Sequence, residues 1–273
     1  IGTSALKLNT TGNFNVAVGG SALTSNVSGF SCVAVGHEAL ANNTGNLNTA
    51  VGKGAMSQNT SATNNTAVGS SAMSQNTTAS NNTAVGVYSL LQNTTGNSNT
   101  SVGTFALKEN TTGANNTVLG TFAADAQTTA NNNTAIGYAC MGVTTTGGNN
   151  TAVGQSALTS NTTGGDNTVL GSIALDSNTT GSRNTALGRD SLGGNTTGSD
   201  NIVIGQSAFN NQTDANGNLG IGNSAGTFQL GGSNIAIGRS AFKGTSSGTY
   251  NGTNNIALGH SSLFNNTTGG QNT

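Results

Sequence analysis

Two glycine-spaced motifs are the places where this chain could carry reactive chemistry. Gly220-Ile-Gly222-Asn-Ser-Ala225 has the spacing that lets a backbone turn approach a dinucleotide pyrophosphate. That chemistry requires a strand feeding a helix, and here the motif straddles the boundary of a sequence repeat. The overlapping Gly222-Asn-Ser224-Ala-Gly226 has the spacing of a nucleophile elbow, which would present Ser224 Oγ for acyl transfer. Such a serine needs a base, and only His37 and His260 offer an imidazole. Both histidines fall at the same repeat position, far apart along the chain, so no triad is expected. Cys and His lack metal-ligand spacing, and the scattered carboxylates do not pair. The expectation is therefore no enzyme, with no catalytic residue, cofactor site or metal site.

Two further residue classes bear on chemistry. Cys32 and Cys140 are about six repeat units apart, too far to bridge within one chain if the units stack. Cys140 replaces an alanine in a small-residue column, which points to packing. Asn-x-Thr triplets such as Asn9-Thr-Thr, Asn76-Thr-Thr, Asn110-Thr-Thr and Asn161-Thr-Thr would accept glycans on an exposed edge. The weightier reading is that Asn and Thr build turns and ladders.

The elements that position these residues come from one repeat. An apolar residue followed by glycine recurs from Gly2 to Gly259, in steps of 17 residues, with 16 at two places and 21 at the last. A fixed period of this length means stacked units rather than a closed globular domain. Residues 1–273 read as a single array of about sixteen coils, a fragment of a longer fibre. With the marker glycine as column 1, column 4 is small (Ala22, Ala39, Cys140) and column 5 is large and apolar (Leu23, Met56, Phe209). Column 16 is mostly Ala, column 17 is Val, Ile or Leu, and column 14 is Asn in nearly every unit. Asn65, Asn82, Asn99, Asn116, Asn133, Asn150, Asn167 and Asn184 are the expected ladder, each amide bonding to the coils on either side. Charges avoid columns 4, 5 and 14 to 17, and they collect at columns 2, 3, 6 and 13.

Asn-Thr-Ala-Val-Gly and Ser-Ala-Leu are too short for helices and are bounded by turn formers. Each coil is expected to hold two short strands and two turns, in an all-β parallel solenoid or β-roll. Column 4 should oppose column 5 across its strand, giving a small-residue face and a large-residue face. The glycine at column 11, as in Gly12, Gly29, Gly113, Gly164 and Gly181, is expected to supply a positive φ. A thin roll encloses only one apolar face, and the other becomes a stripe that marks an interface. A homo-oligomer, with a trimer favoured, follows from that stripe.

Asn201-Ile-Val-Ile-Gly205, Asn234-Ile-Ala-Ile-Gly238 and Asn255-Ile-Ala-Leu-Gly259 resemble the head repeats of trimeric autotransporter adhesins. The longer form, Asn-Thr-Ala-Val-Gly-x-x-Ala-Leu-x-x-Asn-Thr-Thr-Gly, is similar to repeats of phage tail-fibre proteins. The resemblance covers the whole chain. It implies a left-handed parallel β-roll that trimerises through its apolar face. It also implies a place outside the cell, on a virion tail fibre or a bacterial surface, where the protein attaches to a glycan or protein receptor. Adhesin repeats are usually shorter, so the Asn-Thr-Thr-Gly turn is a departure. Tyr88, Phe105, Phe122 and Tyr138, with Tyr250 in the insertion from Gly244 to Asn251, are the expected surface contacts.

Composition narrows the classes. The chain has 42 Gly, no Pro and no Trp, only 5% charged residues and a net charge of −1. No electrostatic footprint for nucleic acid exists in such a chain. No run of apolar residues is long enough for a transmembrane helix, so no membrane insertion is expected. Thr at columns 9, 10 and 15 keeps an ice-binding or monomeric solenoid as the alternative.

Overall fold

The computed structural model describes residues 1–244, 251–265 and 269–272. Two compact units, Ile1–Asn133 and Thr134–Thr273, are each a parallel β-solenoid of about 17 residues per coil. The first unit holds β1 (Val16–Val18), β2 (Val33–Val35), β3 (Thr49–Val51), β4 (Thr66–Val68), β5 (Thr83–Val85), β6 (Thr100–Val102) and β7 (Thr117–Leu119). The second holds β8 (Thr134–Ile136), β9 (Thr151–Val153), β10 (Thr168–Leu170), β11 (Thr185–Leu187), β12 (Ile202–Ile204), β13 (Leu219–Ile221), β14 (Ile235–Ile237) and β15 (Ile256–Leu258). Among the described residues fifteen strands therefore stand where about sixteen coils are expected, since the first marker, Gly2, has only Ile1 before it. No helix occurs among the described residues.

Within each unit, sequential strands pair in parallel with like columns facing each other, as in Thr66↔Thr83, Ala67↔Ala84 and Val68↔Val85. The same register holds where the coil is shortened to 16 residues, Val33 pairing with Thr49 and Val35 with Val51. The central residue of every strand points inward and the two flanking ones outward.

Each coil has one strand, not two. The Ser-Ala-Leu segment is a pair of overlapping tight turns in which columns 3 and 5 both have left-handed φ, for example Ser71 at 53° and Met73 at 52°. Two positive-φ residues two apart are incompatible with a strand. The alternation rule fails with it, so columns 4 and 5 both face the core: Ala72 and Met73 are fully buried, as are Ala157 and Leu158. The backbone still ladders from coil to coil. Ser71 N donates to Lys53 O of the preceding coil at 2.9 Å, and Met73 N donates to Ala72's counterpart Ser89, at its carbonyl, at 2.9 Å. Leu side chains that leave water here contribute about 1.5–3 kcal/mol each. That offsets a left-handed backbone cost of roughly 1–2 kcal/mol per residue.

The column-11 glycines do not have positive φ. Their reason is close approach: a Cβ on Gly181 would collide with the carbonyl oxygen of Gly198 in the next coil and with Asn178 Oδ1. Positive φ belongs instead to column 1, as in Gly69 at 140°, and to columns 3, 5 and 13.

Candidate functional site

Three surfaces can do something chemically: the inner amide ladders, the outer strand face, and the outer turn that carries column 3.

The expected ladder is present. In the first unit Asn65, Asn82, Asn99, Asn116 and Asn133 each donate their backbone N–H to the side-chain Oδ1 of the preceding ladder residue, at 2.8–3.0 Å. In the second unit Asn167 and Asn184 do the same to Asn150 and Asn167, both at 3.0 Å. Their Nδ2 groups donate to a carbonyl at column 11, Asn150 to Gly164 O at 2.9 Å and Asn167 to Gly181 O at 3.0 Å. These side chains are buried, so they hold the fold and are not offered to a ligand.

Sequence reasoning missed a second ladder at column 8. Asn76 Nδ2 donates to Asn59 Oδ1 at 2.7 Å, Asn93 to Asn76 at 3.2 Å, and Asn178 to Asn161 at 2.9 Å. The signal was there: column 8 reads Asn in Asn26, Asn43, Asn59, Asn76, Asn93, Asn110, Asn161, Asn178 and Asn195, with Gln127, Thr144, Gln212 and Gln229 as the variants. This ladder overturns the glycan reading of Asn76, Asn110 and Asn161, whose side chains have no exposed surface. Where Gln127 replaces Asn, its Oε1 turns to accept from Asn133 Nδ2 at 2.9 Å, and Asn110 Oδ1 is left buried without a partner.

The reactive-looking motifs do not assemble. Gly220 lies within β13 and no helix follows among the described residues. Ser224 Oγ donates to Asn223 Oδ1 at 3.1 Å rather than to an imidazole. Both cysteines are buried free thiols. Burial pushes Cys140 up to about 12, and its Sγ lies 3.2 Å from Ala152 O. Burial likewise raises Cys32. Among the described residues no group of three or more His, Cys, Asp or Glu could hold a metal ion, and no helix is long and apolar enough to cross a membrane. Burial raises Asp125 and Asp176 above the ordinary carboxylate range, with Asp190 adding repulsion at Asp176.

The outer strand face is uncharged and half apolar. Column 17 puts Val18, Val35, Val51, Val68 and Leu119 outward in the first unit, between 36% and 47% exposed. Leu170, Ile204, Ile221 and Leu258 do so in the second. Beside them column 15 places an outward Thr on each of β3 to β11. The column-9 threonines are occupied otherwise: Thr94 Oγ1 donates to Thr111 O at 3.0 Å and Thr162 Oγ1 to Thr179 O at 2.9 Å.

The outer turn brings three of the expected contact residues together. Tyr88, Phe105 and Phe122 stack with their rings nearly parallel, with centroids 5.4 and 5.3 Å apart and interplanar angles of 18° and 6°. Tyr138 lies in the second unit and is exposed. Tyr250 and most of its insertion lie outside the described residues. Toward the amino terminus, columns 3, 6 and 7 border a groove of about 370 Å³ lined by Ser21, Thr24, Ser25, Glu38, Ala41, Asn42, Ser57 and Gln58. No protein-family model matches this sequence, and no curated protein matches it.

Proposed function

We propose that this chain is a structural segment of a homotrimeric fibre outside the cell, of the tail-fibre or surface-adhesin kind, that serves attachment rather than catalysis. The observation that carries this reading is the aliphatic column 17, outward on strand after strand, on strands that themselves hold no charged residue. Contiguous exposed apolar surface marks an interface. A second copy of the chain carries the same column at the same strand spacing, so copies laid in parallel match coil for coil. Three copies around an axis come from the resemblance of the Asn-Ile-Ala-Ile-Gly units to adhesin heads. Light scattering should give a mass near three times 26.7 kDa. A single-chain mass would refute the reading. Lysine at Val68 and Leu119 should convert the assembly to single chains while leaving the β-sheet spectrum unchanged.

One observation favours a second reading. The column-15 threonines sit on the strands, side by side with the aliphatic column, in a regular in-register array. Such a face, left uncovered, suits ordered water at an ice surface. The two readings use the same face and exclude one another. Thermal hysteresis by the single chain would select the second, and its absence would remove it.

A further inference from the structure

The aromatic stack ends abruptly, and the place where it ends has the build of a sugar subsite. Column 3 runs Ser21, Glu38, Gly54, Ser71, Tyr88, Phe105, Phe122 in successive coils. All share one backbone conformation, with φ between 53° and 65°. Each N–H is tied to the preceding coil: Gly54 N to His37 O at 2.8 Å, Ser71 N to Lys53 O at 2.9 Å, Tyr88 N to Ser70 O at 3.1 Å. Side chains in this column therefore leave the backbone in the same direction, one strand spacing apart.

Tyr88 gives one ring face to Phe105. Its other face looks over Ser71, which is too small to cover it, and then over Gly54, which has no side chain. A Cβ at Gly54 would meet only Ser71 Oγ, at 3.7 Å, so the space above it is open. The next side chain in the column is the exposed carboxylate of Glu38. From Glu38 to Tyr88 is about 14 Å, three strand spacings. The notch is thus walled by an aromatic face at one end and a carboxylate at the other. Glu38 also lines the neighbouring groove, to which Gly54's own coil contributes Ser57 and Gln58.

We propose that this notch binds a pyranose ring of a neutral glycan. A pyranose presents one face of C–H groups and a rim of hydroxyls. The C–H face packs on the free face of Tyr88 and the ring's hydroxyls exchange hydrogen bonds with Ser71, one coil away; a second, linked ring seated over Gly54 carries hydroxyls on toward Glu38. An aromatic wall with a few convergent polar groups is the general composition of a small-molecule site. A phenol suits a boundary that is apolar on one side and wet on the other. Phe105 serves as backing: the stack occupies both of its faces, so it rigidifies Tyr88 instead of touching sugar. The inference deepens the attachment reading by naming a ligand class and a place, and it rests on that reading for its biological purpose only.

The test is saturation-transfer NMR on the full chain with methyl β-glucoside, methyl β-galactoside and N-acetylglucosamine as probes. Transfer to the ring C–H protons of at least one is expected, with millimolar affinity. Tyr88→Ser removes the wall, and Ser71→Phe keeps Tyr88 but extends the stack over its free face. Each should lower the affinity at least tenfold, and circular dichroism should show both variants folded. Ser182→Phe, on the turn of another coil, should leave binding unchanged. No transfer to any of the three sugars, or transfer that survives both Tyr88→Ser and Ser71→Phe, overturns the proposal. Mass by light scattering is read on the same samples, so loss of the fibre reading and loss of the sugar site are separate results.

Discussion

Asn167 and Asn178 are equally buried, yet replacing each with alanine should have different consequences. Asn167 Oδ1 accepts the backbone N–H of Asn184 at 3.0 Å, and no second acceptor stands by for that donor. The other partners of Asn167 each keep a bond: Asn184 Nδ2, which also donates to Asn167 Oδ1, keeps Gly198 O at 2.9 Å, Gly181 O keeps Asn178 Nδ2 at 3.0 Å, and Asn150 Oδ1 keeps the backbone N–H at position 167 at 3.0 Å. The net loss in Asn167→Ala is thus one orphaned, buried backbone donor. In Asn178→Ala, Asn195 Nδ2 keeps Gly198 O at 3.0 Å, and the group left alone is a side-chain acceptor, Asn161 Oδ1. The native chain already tolerates that situation at Asn110 Oδ1. An orphaned buried N–H is the rarer and costlier case, about 1–3 kcal/mol on top of the lost bonds. Asn167→Ala should therefore destabilise by about 2–3 kcal/mol and Asn178→Ala by about 1 kcal/mol. Amide exchange at Asn184 reads the difference locally. It should accelerate ~30-fold in Asn167→Ala for a 2 kcal/mol loss and much less in Asn178→Ala. The amide of Thr185, which donates to Asn201 O at 2.8 Å, is the control. Equal acceleration in the two variants, or a larger effect at Asn178, would refute the reasoning.

Three further outcomes follow from packing and burial. A Cβ at Gly220 or Gly226 would strike the ring of Phe209, so Gly220→Ala alone should cost about 1–3 kcal/mol, and Phe209→Leu should rescue it; strictly additive thermal shifts would contradict the coupling. With Cys140 pushed up to about 12, iodoacetamide at pH 8 should label it only after unfolding, since roughly one thiol in ten thousand is ionised; rapid labelling of the folded chain would count against this burial. Burial holds Asp176 above its ordinary range, so the fold favours its protonated form: the contribution is full below the unfolded pKa and is lost as pH rises through the folded value. Asp176→Asn should accordingly stabilise the protein at pH 7 and not at pH 2, and denaturation midpoints at the two pH values would show it.

The repeat columns were legible because stacking turns sequence position into spatial position. Like residues sit above like, so the uncharged columns 4, 5, 14 and 16 proved buried, whereas columns 15 and 17 are equally free of charge and face outward. The Asn ladder at column 14 and the in-register pairing follow directly. The absence of a second strand was not legible from the same pattern, because Ala-Leu looks like half of an alternating strand. Alternation assumes a β backbone, and left-handed residues on both sides of the alanine turn consecutive side chains to the same side. The cue lay in columns 3 and 13, where Ser, Asn, Asp and Gly recur, residues that tolerate or stabilise left-handed φ. Column 5 gave no such cue, since Leu and Met there are chosen for burial and accept the backbone strain. The column-11 glycines misled for a related reason: a glycine in a turn suggests torsional freedom, whereas here it makes room for the next coil's carbonyl.

The candidate site was half legible. Tyr88, Phe105 and Phe122 stood out as aromatics, but the vacancy beside them is a matter of what column 3 lacks at Gly54 and Ser71. Such a feature gains meaning only when the column is known to be a stack. The fold explains why it can exist. Stability resides in columns 4, 5, 8, 14 and 16 and in backbone bonds that any side chain permits. Columns 2, 3, 6 and 7 are free of that duty, and column 3 accommodates Ser, Glu, Gly, Tyr, Phe, Ile and Asp at nearly one φ. Binding surface can thus be rewritten on the outer turn without disturbing the coil beneath it. For the same reason Tyr88→Ser and Ser71→Phe should report on recognition and not on folding.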